Sequence, residues 1–289
     1  MDNWDDLKFF LAVHKTGTMV SAAKILGTNV ATVSRRIERL NAEVGTAVFV
    51  KSAGHWQLNP SVQGLLRITE DFEGRLANEL NWISNRTGSL ATTRLKIGAP
   101  PLITDRVLAP RIGEAFENHP NYSIELHDRP SGGGLNDVDI LIRAGRPEHG
   151  RLVTKRIGDI DFRLYGHKDG TRKTAWVGLT QASEDMAHMR YARDYFGHEP
   201  SLRATQVMSL YQLVKATRLS AALPVFMAAA DPDLYPLEPE ADPISIDIWI
   251  AYHNSRRTDP AIQRTVQWVS GCFKNLVKQA ELEPASNTF

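Results

Sequence analysis

Cysteine is almost missing from this chain: Cys272 is the single one in 289 residues. That excludes an intrachain disulfide and a cysteine-clustered zinc site, and it fits a reducing compartment. Long apolar runs are missing too, so no stretch is expected to span a bilayer. The start lacks the charged, apolar and small-residue succession of a signal peptide. A soluble, cytoplasmic protein is expected. Excess charge of one sign is also absent: 34 Lys and Arg stand against 33 Asp and Glu, a formal net charge of +1. Any affinity for a polyanion must come from a local patch. Catalytic constellations are lacking as well. The nine histidines show no pair at zinc-ligand spacing. Ser131-Gly132-Gly133-Gly134 has no Lys-Ser/Thr after it, as a phosphate loop requires. No nucleophile accompanies His127-Asp128. No enzyme, metal or cofactor is expected.

What is present is a 42% hydrophobic, 23% charged composition, that of an ordinary globular protein long enough for two or three domains. Its organising stretch runs from Thr18 to Val44 and reads as two helices broken by a turn. Thr18 is the N-cap candidate of the first and Gly27 its stop. Ala22 and Ala23 are small enough for another helix to cross closely. In the second, Val33, Ile37, Leu40 and Val44 follow the 3.6-residue period and predict its buried face. Arg35, Arg36 and Arg39 are expected to point away from it, with Thr32 and Ser34 beside them. Asn29 is a plausible cap for this helix, whose N-terminus can sit on a phosphate. This is the layout of a helix-turn-helix, whose second helix enters the major groove of DNA.

The flanks extend the pattern. Leu7, Phe10 and Leu11 make the stripe of an opening helix, with Asp5 and Asp6 suited to its N-terminus. Gly45 stops the recognition helix. Ala47–Val50 and Trp56–Leu58 read as two short strands around a Ser52–His55 turn. In such a wing Lys51 and His55 are candidate phosphate contacts. Arg39 is expected to meet phosphate or Glu43 at i+4.

With these residues in place, the segment resembles the N-terminal domain of the LysR-type transcriptional regulators. The matching positions are Leu7…Phe10, Gly17-Thr18, Ala22-Ala23, Leu26, Val33-Ser34, Ile37, Leu40, Glu43-Val44-Gly45, Phe49, Leu58 and Pro60. The resemblance implies a winged helix-turn-helix over residues 1–60, with base-facing positions at Val30, Ala31, Ser34 and Arg35. Val30 and Ala31 can pack on thymine methyls, while Arg35 or Arg36 can grip guanine or hold phosphate. The sequence departs from the family where it has Asn29-Val30-Ala31, Lys51 and Pro60-Ser61-Val62. The operator therefore does not follow by analogy.

Residues 61–90 are expected to form a linker helix and hinge. Val62, Leu65, Thr69, Phe72, Leu76, Leu80 and Ile83 recur at steps of about three and four, a seam of coiled-coil kind. The resemblance implies a dimer through this helix, or a tetramer built on it, and hence a pseudo-palindromic site on double-stranded DNA. The polar run 84–89 reads as the domain boundary.

From residue 91 to 289 short strands alternate with helices, which implies open sheets covered by helices, an α/β domain. This half resembles the LysR-type effector domain, with its two-lobed type 2 periplasmic-binding-protein fold. The resemblance rests on Leu95–Phe116, Asp139–Gly145, Leu223-Pro224 and Trp249…His253…Arg256-Arg257…Pro260. It implies a first lobe of about 91–162 and 254–289 and a second of about 163–253. A small-molecule effector would bind between them, against Pro100, Leu102, Thr104, Arg129, Ser131 and Arg143 of the first lobe and Met208 and Ser209 of the second. Arg129 or Arg143 would suit an anion. Thr104 is expected to cap the helix that follows it. Where the family has a helix after the second strand, this chain has only a loop-like His127–Asn136. The expectation is an effector-controlled transcription regulator. The alternatives are a regulator with a degenerate sensor and, more remotely, an enzyme or solute-binding protein.

Overall fold

The computed structural model describes residues 3–52, 55–86, 93–118, 122–129, 135, 138–147, 151–169 and 175–282. Contacts divide the chain into two units, one of residues 1–91 with His253–Asp259, the other of Thr92–Tyr252 with the rest of the C-terminus.

In the first unit, α1 (Asp5–Thr16), α2 (Met19–Ile25) and α3 (Val30–Val44) pack around one core. Thr18 Oγ1 accepts from Ser21 N at 3.1 Å, and Asn29 Oδ1 accepts from Thr32 N at 2.8 Å. Both predicted caps thus satisfy an orphan amide of their helix. Gly27 and Gly45 leave the helices at φ +62° and +75°, where a side chain would be strained. Leu7, Phe10, Leu11, Val33, Ile37 and Leu40 are buried, as are Ala22 and Ala23. Val44 departs from the predicted stripe at 38% exposure, because the helix runs past the core there.

The wing is an antiparallel hairpin of β1 (Phe49–Ser52) and β2 (His55–Leu58), shifted slightly from the predicted strands. Trp56 N donates to Gly17 O and Asn41 Oδ1 accepts from Val48 N, so hairpin and helices form one body. Pro60–Val62 makes a single 3-10 turn, and α4 follows over Gln63–Arg86.

The second unit is built on a mixed sheet. Its strands are β3 (Thr93–Ala99), β4 (Tyr122–Asp128), β5 (Ile140–Ala144), β6 (Leu152–His167), β9 (Ala221–Pro224), β10 (Leu234–Pro236) and β11 (Ile244–His253). Among the described residues their order is β10-β6-β11-β5-β3-β4, with β9 also on β6. β3 lies parallel to both β4 and β5, whereas β11 runs antiparallel to β5. A small parallel pair, β7 (Val177–Leu179) and β8 (Leu202–Ala204), stands apart. The helices are α5 (Pro101–Ile103), α6 (Ile112–Asn118), α7 (Ala187–Phe196), α8 (Val207–Thr217), α9 (Val225–Ala228) and α10 (Pro260–Leu282).

Two cores lie within this unit. One gathers Leu95, Ile97, Ile140, Ile142, Ile160, Phe162, Ile248, Ile250, Ile262 and Phe273; the other Leu164, Trp176, Val177, Met189, Leu210, Val214 and Leu223. The division between these cores falls inside the single strand β6, with Phe162 in the first and Leu164 in the second. β11 was expected in the second lobe. Its pairing with β5 buries Ile248, Ile250 and Tyr252 in the first instead. The segment between Ile103 and Ile112 is a five-residue π turn, Thr104–Leu108, and a 3-10 turn. Thr104 is therefore inside a helical run, closing α5 rather than capping the segment that follows.

Candidate functional site

The exposed face of α3 carries Ala31, Arg35, Glu38 and Ala42 at steps of four, three and four. Val30 opens the helix and is also exposed. Arg35 sits mid-helix with no hydrogen bond or ion pair among the described residues. Ser34 donates to Glu38 Oε1 at 3.0 Å. A carboxylate thus shares this face with a guanidinium, and the pair offers both an acceptor and a donor at one surface. Lys51 is exposed on β1. The side chain of His55 lies outside the described residues.

Arg36 and Arg39 do not stand free as expected. Arg39 donates through Nε and Nη2 to Asp6, both at 2.5 Å, and Arg36 Nη1 donates to Asp6 Oδ1 at 3.1 Å. Asp6 is fully buried in the first turn of α1. Burial alone would raise its pKa, but the hydrogen bonds and charges of Arg39 and Arg36 outweigh that and hold the carboxyl below its ordinary value. Arg36 also lies over the Phe9 ring, 5.3 Å from its centre. Arg39 turns to Asp6, and Glu43 adds a weaker favourable charge.

The linker seam divides in two. Val62 is 4% exposed and belongs to the winged-helix core, and Leu65 is half-buried against the same core. The 3-10 turn and the start of α4 close that core, through Val62, Leu65 and Leu66. Thr69 is buried, its hydroxyl bonded to Leu65 O. Beyond it Ile68, Phe72 and Leu76 are 64%, 50% and 47% exposed, and Trp4 lies against Phe72. Together they form an apolar strip on one side of α4. The side chains of Leu80 and Ile83 lie outside the described residues.

In the second unit, the expected effector residues gather at one edge of the sheet. Pro100, Leu102 and Thr104 follow the carboxyl end of β3, Arg129 follows β4, and Arg143 lies near the end of β5. Because β4 and β5 flank β3 on opposite sides, this edge is a topological switch point, where α/β sheets bind ligands. Arg129 N donates to Ala99 O at 2.7 Å, and the stem of Arg129 lies over Gly98, where a Cβ would come within 2.9 Å of its Cγ. Arg143 Nε reaches the Ala144 carbonyl at 3.2 Å. Thr104 Oγ1 is buried without a hydrogen-bond partner among the described residues. Met208 and Ser209 occupy the first turn of α8, which packs against α5. Leu102 and Met208 reach the same core. Ser131 lies outside the described residues.

Sequence reasoning missed α7 altogether. Its signal was Met189, Ala192 and Phe196 at helical steps, diluted by Arg190, Arg193 and Asp194. Cys272 is 1% exposed, and burial pushes its thiol up to about 11, which leaves it inert at neutral pH. Among the described residues no three potential metal ligands cluster, and no helix is long and apolar enough to cross a membrane.

Comparison with known proteins agrees with this architecture. Residues 88–272 match the LysR substrate binding domain, and residues 4–64 match the bacterial regulatory helix-turn-helix protein, lysR family. The Mau operon transcriptional activator of Paracoccus denitrificans is 24% identical over 285 residues, spanning 94% of this chain and 96% of the relative. Full-length OxyR from Pseudomonas aeruginosa has a similar fold, with a TM-score of 0.64 at 15% identity over 95% of each chain. Full-length LysG from Corynebacterium glutamicum, solved with bound effector Arg, gives 0.63 at 15% identity over 94% of this chain and 98% of that one. The chain belongs to the LysR-type family of transcriptional regulators, with a helix-turn-helix DNA-binding domain followed by an effector-binding domain.

Proposed function

We propose that this regulator works as a homodimer in the cytoplasm and reads an approximately twofold-symmetric operator through α3. The observation that carries the reading is the solvent-facing row Ala31, Arg35, Glu38 and Ala42 on a helix whose N-terminus is capped by Asn29. Arg35 makes the guanine contact, Val30 and Ala31 pack on thymine methyls, and the free amides of the first turn meet phosphate. Lys51 and His55 of the wing meet the adjacent backbone. The apolar strip of Ile68, Phe72 and Leu76 supports pairing of two subunits through α4. Residues 1–60, 61–90 and 91–289 then act as reader, linker and sensor.

The sensor takes a small anionic effector at the carboxyl ends of β3, β4 and β5, with α8 as the facing wall. The unpartnered Thr104 hydroxyl and the nearby Arg129 and Arg143 support that chemistry. Control requires the effector to bind one arrangement of the protein better than another. A second reading, a sensor that takes no effector, is favoured by the loop-like sequence His127–Asn136 where the family has a helix.

Selection of the full-length protein against random duplexes at near-physiological salt tests the main reading. Recovery of an inverted repeat, with affinity lost in Arg35→Ala while the dimer persists, supports it. An unchanged affinity of Arg35→Ala for the recovered site would refute the placement of α3. Calorimetric titration with small carboxylates separates the two sensor readings.

A further inference from the structure

The three arginines of α3 are not equivalent. Arg35 faces solvent, whereas the guanidinium groups of Arg36 and Arg39 turn toward α1 and share one carboxylate. That carboxylate, Asp6, is fully buried and receives three charged hydrogen bonds. A phosphate competing for Arg39 would have to leave Asp6 charged, buried and under-compensated, which is strongly unfavourable. A DNA phosphate is itself hydrated and screened by counterions. The internal carboxylate wins that competition. The same bonds join the first turn of α1 to the middle of α3, so they also set the rotation of α3 about its axis.

We propose that Asp6 is a positioning residue for DNA recognition: it holds Arg36 and Arg39 against α1, withholds both from phosphate, and leaves Arg35 as the cation that α3 presents to DNA. This rests on the reading that α3 enters the groove. Phosphate contacts carry no sequence information. Withholding two cations therefore lowers affinity for every duplex alike and raises the share of binding that depends on sequence. Glu38 on the exposed face acts in the same direction, since it repels phosphate wherever it is not matched to a base donor.

The test uses the full-length chain, a mixed-sequence duplex, and equilibrium binding over a range of salt concentrations. The slope of log affinity against log salt counts phosphate contacts, at about 0.9 per contact. Arg35→Gln should flatten the slope by about one contact per subunit, because a freely presented arginine meets phosphate in non-specific complexes. Arg39→Gln should leave it unchanged. Asp6→Asn, shown to be folded by circular dichroism, should steepen it by about one contact for each arginine released and tighten non-specific binding. Adding Arg39→Gln to Asp6→Asn should reverse part of that gain. A merely structural role for Asp6 would weaken folding without steepening the slope. Flattening by Arg39→Gln alone, equal to that of Arg35→Gln, would overturn the proposal, as would an unchanged slope in folded Asp6→Asn. If Asp6→Asn does not fold, the comparison of Arg39→Gln with Arg35→Gln decides. A wild-type protein with no salt-dependent binding to any duplex would overturn the reading of α3 itself, a result distinct from both.

Discussion

His188 lies nearly flat against Phe162, with ring centroids 4.1 Å apart and planes 18° from parallel. The imidazole is 1% exposed, and neither of its nitrogens has a hydrogen-bond partner among the described residues. It joins α7 of the second lobe to the strand that crosses between lobes. Burial holds its pKa down to about 4, so the folded protein keeps it neutral.

The first prediction follows from that neutrality. An unfolded histidine titrates near 6.5, so between about pH 6.5 and 4 the unfolded chain binds a proton that the folded one refuses. Stability is full above this window and falls as pH drops through it, by about 2 kcal/mol at pH 5. Urea unfolding of His188→Leu should show a flatter acid limb than wild type. Equal pH profiles would mean that His188 finds a proton acceptor in solution.

Asp231 behaves in the opposite sense. Burial raises its pKa, but Tyr211, Lys215 and the Asp233 amide outweigh that and bring it to about 2. An unfolded aspartate titrates near 3.9. The contribution is complete above that value and disappears as pH falls toward 2, about 2 kcal/mol in all. Asp231→Asn should lower the urea midpoint at pH 7 and converge on wild type only as the pH approaches 2. A gap that persists at low pH would assign the effect to packing.

A third prediction concerns the cap of the recognition helix. Asn29→Ala removes the acceptor for Thr32 N and should cost about 1 kcal/mol of stability. DNA affinity should fall by more than stability alone accounts for, because the amide end of α3 loses its order. Thermal denaturation and equilibrium binding on the same preparation separate the two.

The apolar strip on α4 gives the fourth. Phe72→Glu with Leu76→Glu should leave the winged helix folded, since both side chains are about half exposed. Sedimentation equilibrium should show dissociation to monomers at micromolar concentration. A persistent dimer would place the subunit interface elsewhere.

What could be read from the sequence was what depends on neighbours a few residues apart. The caps Thr18 and Asn29, the stops Gly27 and Gly45, and the stripe Val33, Ile37, Leu40 are all local signals, and the structure has them. The Asp6 clamp was not legible, because its partners lie 30 and 33 positions away and any exposed arginine gives the same local pattern. Asp6 was readable only as a helix-end charge. Val62 and Leu65 kept the heptad step of an interface while belonging to a core, a distinction that periodicity does not carry. The π turn at Thr104–Leu108 hid for a similar reason: its five-residue bonding leaves no composition signal.

β6 spans Leu152–His167 without a break. At about 3.3 Å per residue that is a rod of roughly 50 Å. Its first half lies beside β11 and its second half beside β9 and β10. Each ladder fixes its own end, and neither lobe can slide past the other without breaking hydrogen bonds in both. What remains soft is the twist of the strand between them. The chain returns between the two cores from Leu237 into β11, beside β6, so any movement of one core against the other must twist both crossings together.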